Sequence, residues 1–212
     1  MRYVLGFMLF LMGHEALGAN CHSQKVCCYG PYPVNPCKPW WSKGWAATVY
    51  SGPLTSQTSS KIIQNADFGK SGIIALAVSK WLGRPWNKPL DFELESQAVQ
   101  HFGEQKHFEI NPIALVARWS AFPWNRNLPT TVAIGDGLSI ATEKPKLEVK
   151  RRGHKKSTKT LNYVMAEITF SPPCHRQWAF VLRYHHRSGM FGTFHGVEDA
   201  STVLAAGVKY WF

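Results

Sequence analysis

Apolar residues alternate with polar ones along most of the chain that follows residue 44. One such stretch places Trp178 and Phe180 on one face and Arg183 and His185 on the other, because successive side chains of an extended strand point to opposite faces. Clusters of Gly, Pro, Asn or charged residues separate the stretches, and none of the stretches has the 3.6-residue period of an amphipathic helix. The pattern therefore predicts an all-β protein.

We predict eight strands from this alternation. Strands of about ten residues have the length that a tilted strand needs to cross a bilayer. We also suspect a β-bulge at residues 134–137, where the sequence Ile-Gly-Asp-Gly makes the parity of the fifth strand ambiguous. The predicted strands are Trp45–Ser51, Ile73–Leu82, Asp91–Phe102, His107–Trp119, Thr130–Thr142, Leu161–Phe170, Gln177–Ser188 and Thr202–Phe212.

The last predicted strand decides between two architectures. A soluble sandwich turns its aromatic side chains toward a core, whereas a transmembrane barrel turns them toward lipid and its charges toward the lumen. Leu204, Val208, Tyr210 and the terminal Phe212 share one face, which is similar to the closing strand of bacterial outer-membrane barrels. We therefore predict that residues 45–212 form an eight-stranded antiparallel transmembrane β-barrel with both ends in the periplasm. A soluble periplasmic β-protein is the disfavoured alternative.

The N-terminus predicts export. Arg2 precedes an apolar stretch and a small-residue cleavage site, so residues 1–18 have the pattern of a secretory signal peptide, with a retained anchor helix as the alternative. Residues 19–44 are rich in Cys and Pro and are predicted to form an irregular periplasmic segment. In an exported chain the cysteines indicate disulfides whose pairing stays open; a metal site is disfavoured because no paired Cys-x-x-Cys arrangement occurs. The five cysteines are Cys21, Cys27, Cys28, Cys37 and Cys174.

The charge balance favours an anionic partner. The 24 Lys and Arg against 13 Asp and Glu give a net charge of +11, while 45% hydrophobic residues exclude a disordered chain. Export argues against nucleic acid and favours the phosphates of lipopolysaccharide in the bacterial cell outer membrane. The connection at residues 143–160 is predicted to be extracellular and is either a solvated loop or a phosphate-binding one. Its candidate phosphate ligands are Lys150, Arg151, Arg152, Lys155 and Lys156.

Three residues near the outer end of the last two strands point to ester hydrolysis. His186 and Ser188 are two apart on the seventh strand, so both face lipid, and Glu198 is in phase with Leu204 on the eighth. A serine hydroxyl needs a neighbouring base, which His186 could supply, and a carboxylate could fix the imidazole tautomer. The alternative interpretation is that these are polar residues of a strand leaving the membrane.

The same residues carry a resemblance to a known family. The run His186-Arg187-Ser188, followed by Gly196-Val197-Glu198 and a final Phe212, resembles the lipid A 3-O-deacylase (PagL) family over roughly residues 71–212. The resemblance implies an eight-stranded outer-membrane barrel whose active site opens toward the outer leaflet. It also implies a carboxylic ester hydrolase without metal or cofactor, with His186 as base, Ser188 as nucleophile and Glu198 as the third member.

The residue that follows the expected nucleophile differs from the one that is typical of the family. In the family the Ser is typically followed by an Asn that assists the oxyanion, whereas Gly189 follows Ser188 in this chain. The backbone N–H groups of Gly189 and Met190 are therefore expected to stabilise the oxyanion. The alternative function is a non-catalytic barrel that binds lipopolysaccharide or other surface ligands through the basic connection. The sequence leaves open whether the chain forms a homodimer.

Overall fold

The computed structural model describes most of the chain from residue 44 onward. The predicted signal peptide, nearly all of the Cys- and Pro-rich segment, and all five cysteines lie outside the described residues, so the predictions made for them stay predictions. The described ranges are 44–55, 70–85, 88–125, 127–145, 158–173, 175–189 and 199–212.

The eight strands form one closed antiparallel barrel. Each strand pairs with the next along the chain, and the first pairs with the last. Closure leaves no strand edge with unpaired backbone groups, which is what a sheet needs to cross a bilayer. The predicted fold class is therefore confirmed. The strands are β1 (Trp45–Thr55), β2 (Gly72–Gly83), β3 (Leu90–Phe102), β4 (Phe108–Trp119), β5 (Thr130–Ala141), β6 (Thr160–Phe170), β7 (Trp178–Ser188) and β8 (Asp199–Trp211).

The outer surface of the barrel is apolar. Large hydrophobic side chains on the outward face of every strand are exposed or half-buried, an arrangement that costs free energy in water and is favourable against hydrocarbon. Together with the closed barrel, this belt confirms the prediction of a protein that spans a bacterial outer membrane. In the described part of the chain no helix has the length and apolar character to span a membrane. The belt includes Val49, Leu76, Leu94 and Leu115 with Ile134, Ile168, Phe180 and Val208.

The two ends of the barrel differ. At one end the first and last strands close on each other, because the N–H of Phe212 donates to the carbonyl oxygen of Trp45 at 2.9 Å. We call the opposite end the distal end; it carries the connections 56–71, 103–107, 142–159 and 189–198. Two of these connections, 56–71 and 142–159, are longer than any of those at the other end, as is typical of the extracellular side of outer-membrane barrels.

Charged side chains fill the part of the lumen away from the distal end, and their charges balance. Three cations and three carboxylates are buried there, and each cation contacts at least one carboxylate. Glu167 is the common partner, since it accepts hydrogen bonds from Arg118, Arg183 and Lys209. Glu93 binds Arg118 at 2.6 Å, and Glu95 binds Arg183 at 2.9 Å. The side chains plug the interior, as expected for a barrel of this strand number.

The predicted bulge lies on a different strand. β5 pairs with β6 without interruption through residues 134–137, so the predicted bulge on β5 is wrong. The register shifts instead on β4, between Ile110 and Ile113. Pro112 has no N–H to give to the ladder, which favours a bulge there. Gly137 accommodates it, because a Cβ at that position would lie 2.2 Å from the carbonyl oxygen of Ile113.

Candidate functional site

His186 and Ser188 lie on the outward face of β7 near the distal end. Their face is the one that exposes Phe180 and Leu182, whereas Arg183 on the opposite face is buried in the lumen. The imidazole of His186 is 8% exposed and stacks on the ring of Tyr184, with ring centroids 5.6 Å apart. The strand thus presents an imidazole and a hydroxyl together on the membrane side of the barrel.

Thr202 on β8 is a partner of His186 that the sequence analysis did not identify. Nδ1 of His186 lies 2.9 Å from Oγ1 of Thr202, and the two residues are paired across the β7–β8 ladder. When Nδ1–H donates to this hydroxyl, the lone pair is on Nε2, which is the tautomer that a general base requires. Thr202 is in phase with Leu204, so its outward position could have been found from the same parity that was applied to Glu198.

The contact between Thr202 and His186 can be tested by substitution. Thr202→Val keeps the shape of the side chain but removes the hydroxyl that holds Nδ1. We expect any hydrolytic rate that depends on His186 to fall by roughly 10-fold, the loss of about one hydrogen bond. The measurement is kcat at several pH values, with Thr202→Ser as the control that keeps the hydroxyl. A valine variant with an unchanged kcat and pH profile would show that Thr202 does not orient the imidazole.

A second polar pair faces outward on the neighbouring strands. Nδ2–H of Asn162 on β6 donates to Oδ1 of Asp136 on β5 at 2.6 Å. Asp136 is exposed between Ile134 and Leu138, which share its face. Neither residue of the pair was among the sequence candidates. The outward face near the distal end therefore carries polar groups on four adjacent strands.

Of the other predicted site residues, the structure describes Gly189 alone. Gly189 is buried at the end of β7. Glu198 and Met190 lie outside the described residues, as do the five basic candidates between Lys150 and Lys156. The third catalytic member, the oxyanion donors and the phosphate ligands thus stay predictions.

A cluster of imidazoles surrounds Glu109 inside the lumen at the distal end. Nε2 of His101 lies 2.9 Å from Glu109, Oγ of Ser139 donates to it at 2.9 Å, and Nε2 of His185 lies 3.3 Å away. This confirms the inward position of His185. The stacked ring of His107 covers that of His101, with ring centroids 3.9 Å apart.

Three of these residues could be considered as metal ligands. The donor atoms of His101, His107 and Glu109 all lie within 4.8 Å of one another. The two imidazole rings are stacked, however, so their in-plane lone pairs do not converge on one point. Nε of Arg187 also lies 3.7 Å from Glu109 and would repel a cation. The arrangement fits a hydrogen-bonded carboxylate better than a metal centre.

His107 makes the stability of the barrel depend on pH. Burial, and secondly the neighbouring His101, lower the pKa of His107 from 6.5 to about 4. The unfolded chain therefore takes up this proton near pH 6.5, and the folded barrel only near pH 4. We expect the free energy of unfolding to fall as the pH is lowered from 6.5 to about 4. At higher pH His107 is neutral in both states and does not make the free energy of unfolding depend on pH.

Denaturant unfolding of the barrel in detergent, repeated across this pH range, measures the effect. His107→Gln is expected to flatten the pH dependence, whereas His175→Gln, at an exposed position in the β6–β7 connection, is the matched control and leaves it unchanged. Equal slopes for the wild type and the His107 variant would contradict the assignment.

Comparison with known proteins supports the fold. No protein-family model matches the chain, and no curated protein matches it. The outer membrane enzyme PagL is similar in structure, with a TM-score of 0.55 at 10% sequence identity over 79% of this chain and 99% of that one. Neisserial surface protein A (NspA) has a TM-score of 0.45 at 14% identity, over 79% and 97% of the two chains. OprG from Pseudomonas aeruginosa has a TM-score of 0.35 at 13% identity, over 80% and 94%. At these identities the likeness shows the eight-stranded outer-membrane fold alone.

Proposed function

We propose that this barrel is an outer-membrane esterase that hydrolyses an acyl ester of lipid A by 3-O-deacylation. The observation that carries the proposal is the outward position of His186 and Ser188 at the distal end of β7, with Thr202 on Nδ1 of the imidazole. An amphiphilic ester whose acyl chains lie in the outer leaflet reaches such a site sideways, without entering the plugged lumen. The resemblance of His186-Arg187-Ser188 to the lipid A 3-O-deacylase (PagL) family supports the same activity, and the likeness to the outer membrane enzyme PagL adds a matching fold.

The mechanism follows from the roles of the two side chains. Oγ of Ser188 attacks the ester carbonyl carbon while Nε2 of His186 takes the hydroxyl proton. The tetrahedral intermediate collapses, the sugar oxygen leaves, and the imidazolium returns the proton to it. Water then attacks the acyl-enzyme with His186 again as base, which releases the fatty acid and restores Ser188. Glu198 is proposed to stabilise the imidazolium, and the N–H groups of Gly189 and Met190 the oxyanion.

The second candidate is a non-catalytic barrel that binds lipopolysaccharide through the basic connection. It is favoured by the net charge of +11 and by the concentration of Lys and Arg between residues 144 and 159. Such a barrel would bind phosphates and leave the acyl esters intact.

One assay separates the two functions. The purified full-length barrel in detergent is incubated with lipopolysaccharide, and the lipid products are analysed by mass spectrometry. Loss of one acyl chain with the wild type but not with Ser188→Ala supports the esterase. Intact lipid A with both proteins, together with retained binding of lipopolysaccharide, supports the second candidate.

A further inference from the structure

Asp136 places a carboxylate on the lipid-facing side of the barrel. It lies in the middle of β5 and is exposed, with Ile134 on the same face. Turning an ionisable group toward hydrocarbon is costly, and such groups are retained in membrane segments chiefly for function. The position therefore calls for a polar group outside the barrel wall that Asp136 contacts.

Asn162 holds this carboxylate in one orientation. Its amide donates one N–H to Oδ1 of Asp136 at 2.6 Å, and Asn162 itself is buried. Among the described residues, no other side chain hydrogen-bonds to Asp136. Because an ionised carboxylate offers about four acceptor positions, Oδ2 stays available to a donor that approaches from the membrane.

The strand registers put this pair beside the proposed nucleophile. Asn162 is the direct ladder partner of Ser188. Two residues farther along β6, Val164 pairs with Asp136 on one side and with His186 on the other. Side chains of directly paired residues have Cβ atoms about 4.5–5.5 Å apart. Asn162 thus lies between Ser188 and Asp136. Along the strands, Asp136 lies two residues farther from the distal end than the level of Ser188, on the side where an acyl chain would extend.

We propose that Asp136, held by Asn162, is a subsite that accepts a hydrogen bond from a hydroxyl group of the ester substrate. The proposal rests on the proposed esterase function. Two sources can supply the hydroxyl close enough to the ester: the acyl chain, hydroxylated near its carbonyl carbon, or the sugar that carries the ester. A substrate without the hydroxyl leaves the carboxylate facing hydrocarbon, so the subsite selects hydroxylated substrates.

Matched substrates test the selectivity and identify the source. We would compare a sugar ester of a 3-hydroxytetradecanoyl chain, the same sugar ester of a tetradecanoyl chain, and a 3-hydroxytetradecanoyl ester of a simple alcohol. In the wild type kcat/KM is expected to be roughly 10- to 100-fold higher for the substrate that carries the recognised hydroxyl, the range expected for a hydrogen bond to a charged group. Asp136→Leu is expected to abolish this ratio, and Ile134→Leu, on the same face, to keep it.

The outcomes assign the hydroxyl or overturn the subsite. Discrimination between the two acyl chains places the hydroxyl on the acyl chain, and discrimination between the two alcohols places it on the sugar. If Asp136→Leu lowers kcat/KM equally for all three esters, or leaves every ratio as in the wild type, the subsite is refuted.

A binding measurement separates failure of the subsite from failure of the esterase proposal. The Ser188→Ala barrel is titrated in detergent with the same three esters, and the side-chain amide resonances of Asn162 are followed by NMR, with Asn162→Ala for their assignment. Shifts caused only by the hydroxylated ester support the subsite even when the wild type hydrolyses nothing. Hydrolysis without selective shifts refutes the subsite and leaves the esterase standing, and the absence of both refutes both.

Discussion

Ser188→Ala, His186→Ala and the double variant are expected to lose the same fraction of the deacylation rate. In a serine hydrolase the nucleophile and its base act as one unit, so removal of either costs about as much as removal of both, on the order of 10⁴- to 10⁶-fold in kcat. The outward placement of both side chains on β7 makes this the largest activity effect expected in the molecule. The measurement is the single-turnover rate of fatty acid release from lipopolysaccharide.

The control for this series is Ile140→Ala, on the exposed face of β5. It removes lipid-facing surface near the distal end without touching the proposed site and is expected to keep the wild-type rate. A double variant whose loss equals the product of the single losses would show that Ser188 and His186 act independently. Such a result would contradict the proposed mechanism.

Glu167→Ala is expected to cause the largest loss of stability. Its carboxylate is buried and is shared by Arg118, Arg183 and Lys209, and the remaining Glu93 and Glu95 cannot balance three cations. Removing one partner of a buried ion pair typically costs about 3–5 kcal/mol, because the remaining charge is left uncompensated in a medium of low dielectric constant. We expect a loss of at least this size in urea unfolding of the barrel in detergent.

A second substitution tests whether charge balance is the cause. Glu167→Gln keeps the volume of the side chain and is expected to be nearly as destabilising as Glu167→Ala. Lys209→Met in the same chain removes one cation and is expected to recover part of the loss, which a double-mutant cycle measures. A Gln variant as stable as the wild type, or a double variant less stable than the sum of the single effects, would contradict the assigned role of Glu167.

Local alternation was enough to predict the strands because the two faces of each strand meet different solvents. Lipid on one side and a charged lumen on the other enforce a period of two, which the sequence of β7 displays directly. The limits of two strands were less accurate. β1 continues to Thr55 through Gly52-Pro53, and β8 begins at Asp199, because pairing with neighbouring strands extends both beyond the apolar pattern.

The relations between strands could not be predicted in the same way. The bulge was assigned to β5 because its glycines disturb the pattern there, although Gly137 only makes room for the bulge of β4. Thr202 and Asn162 reach the site through the β7–β8 and β6–β7 registers. A register depends on how the sheet closes on itself, and that information is spread over all eight strands rather than held in any one.

The pairing of β1 with β8 also constrains how the molecule can form. Each hairpin is local in sequence and can assemble early, but the seam that joins Trp45 to Phe212 connects the two extremes of the barrel sequence. Contacts of such high sequence separation form slowly, because a long loop must close before they contribute. A nascent chain that lacks β8 has two unsatisfied edges, so β8 must be synthesised before the barrel can insert stably into its membrane.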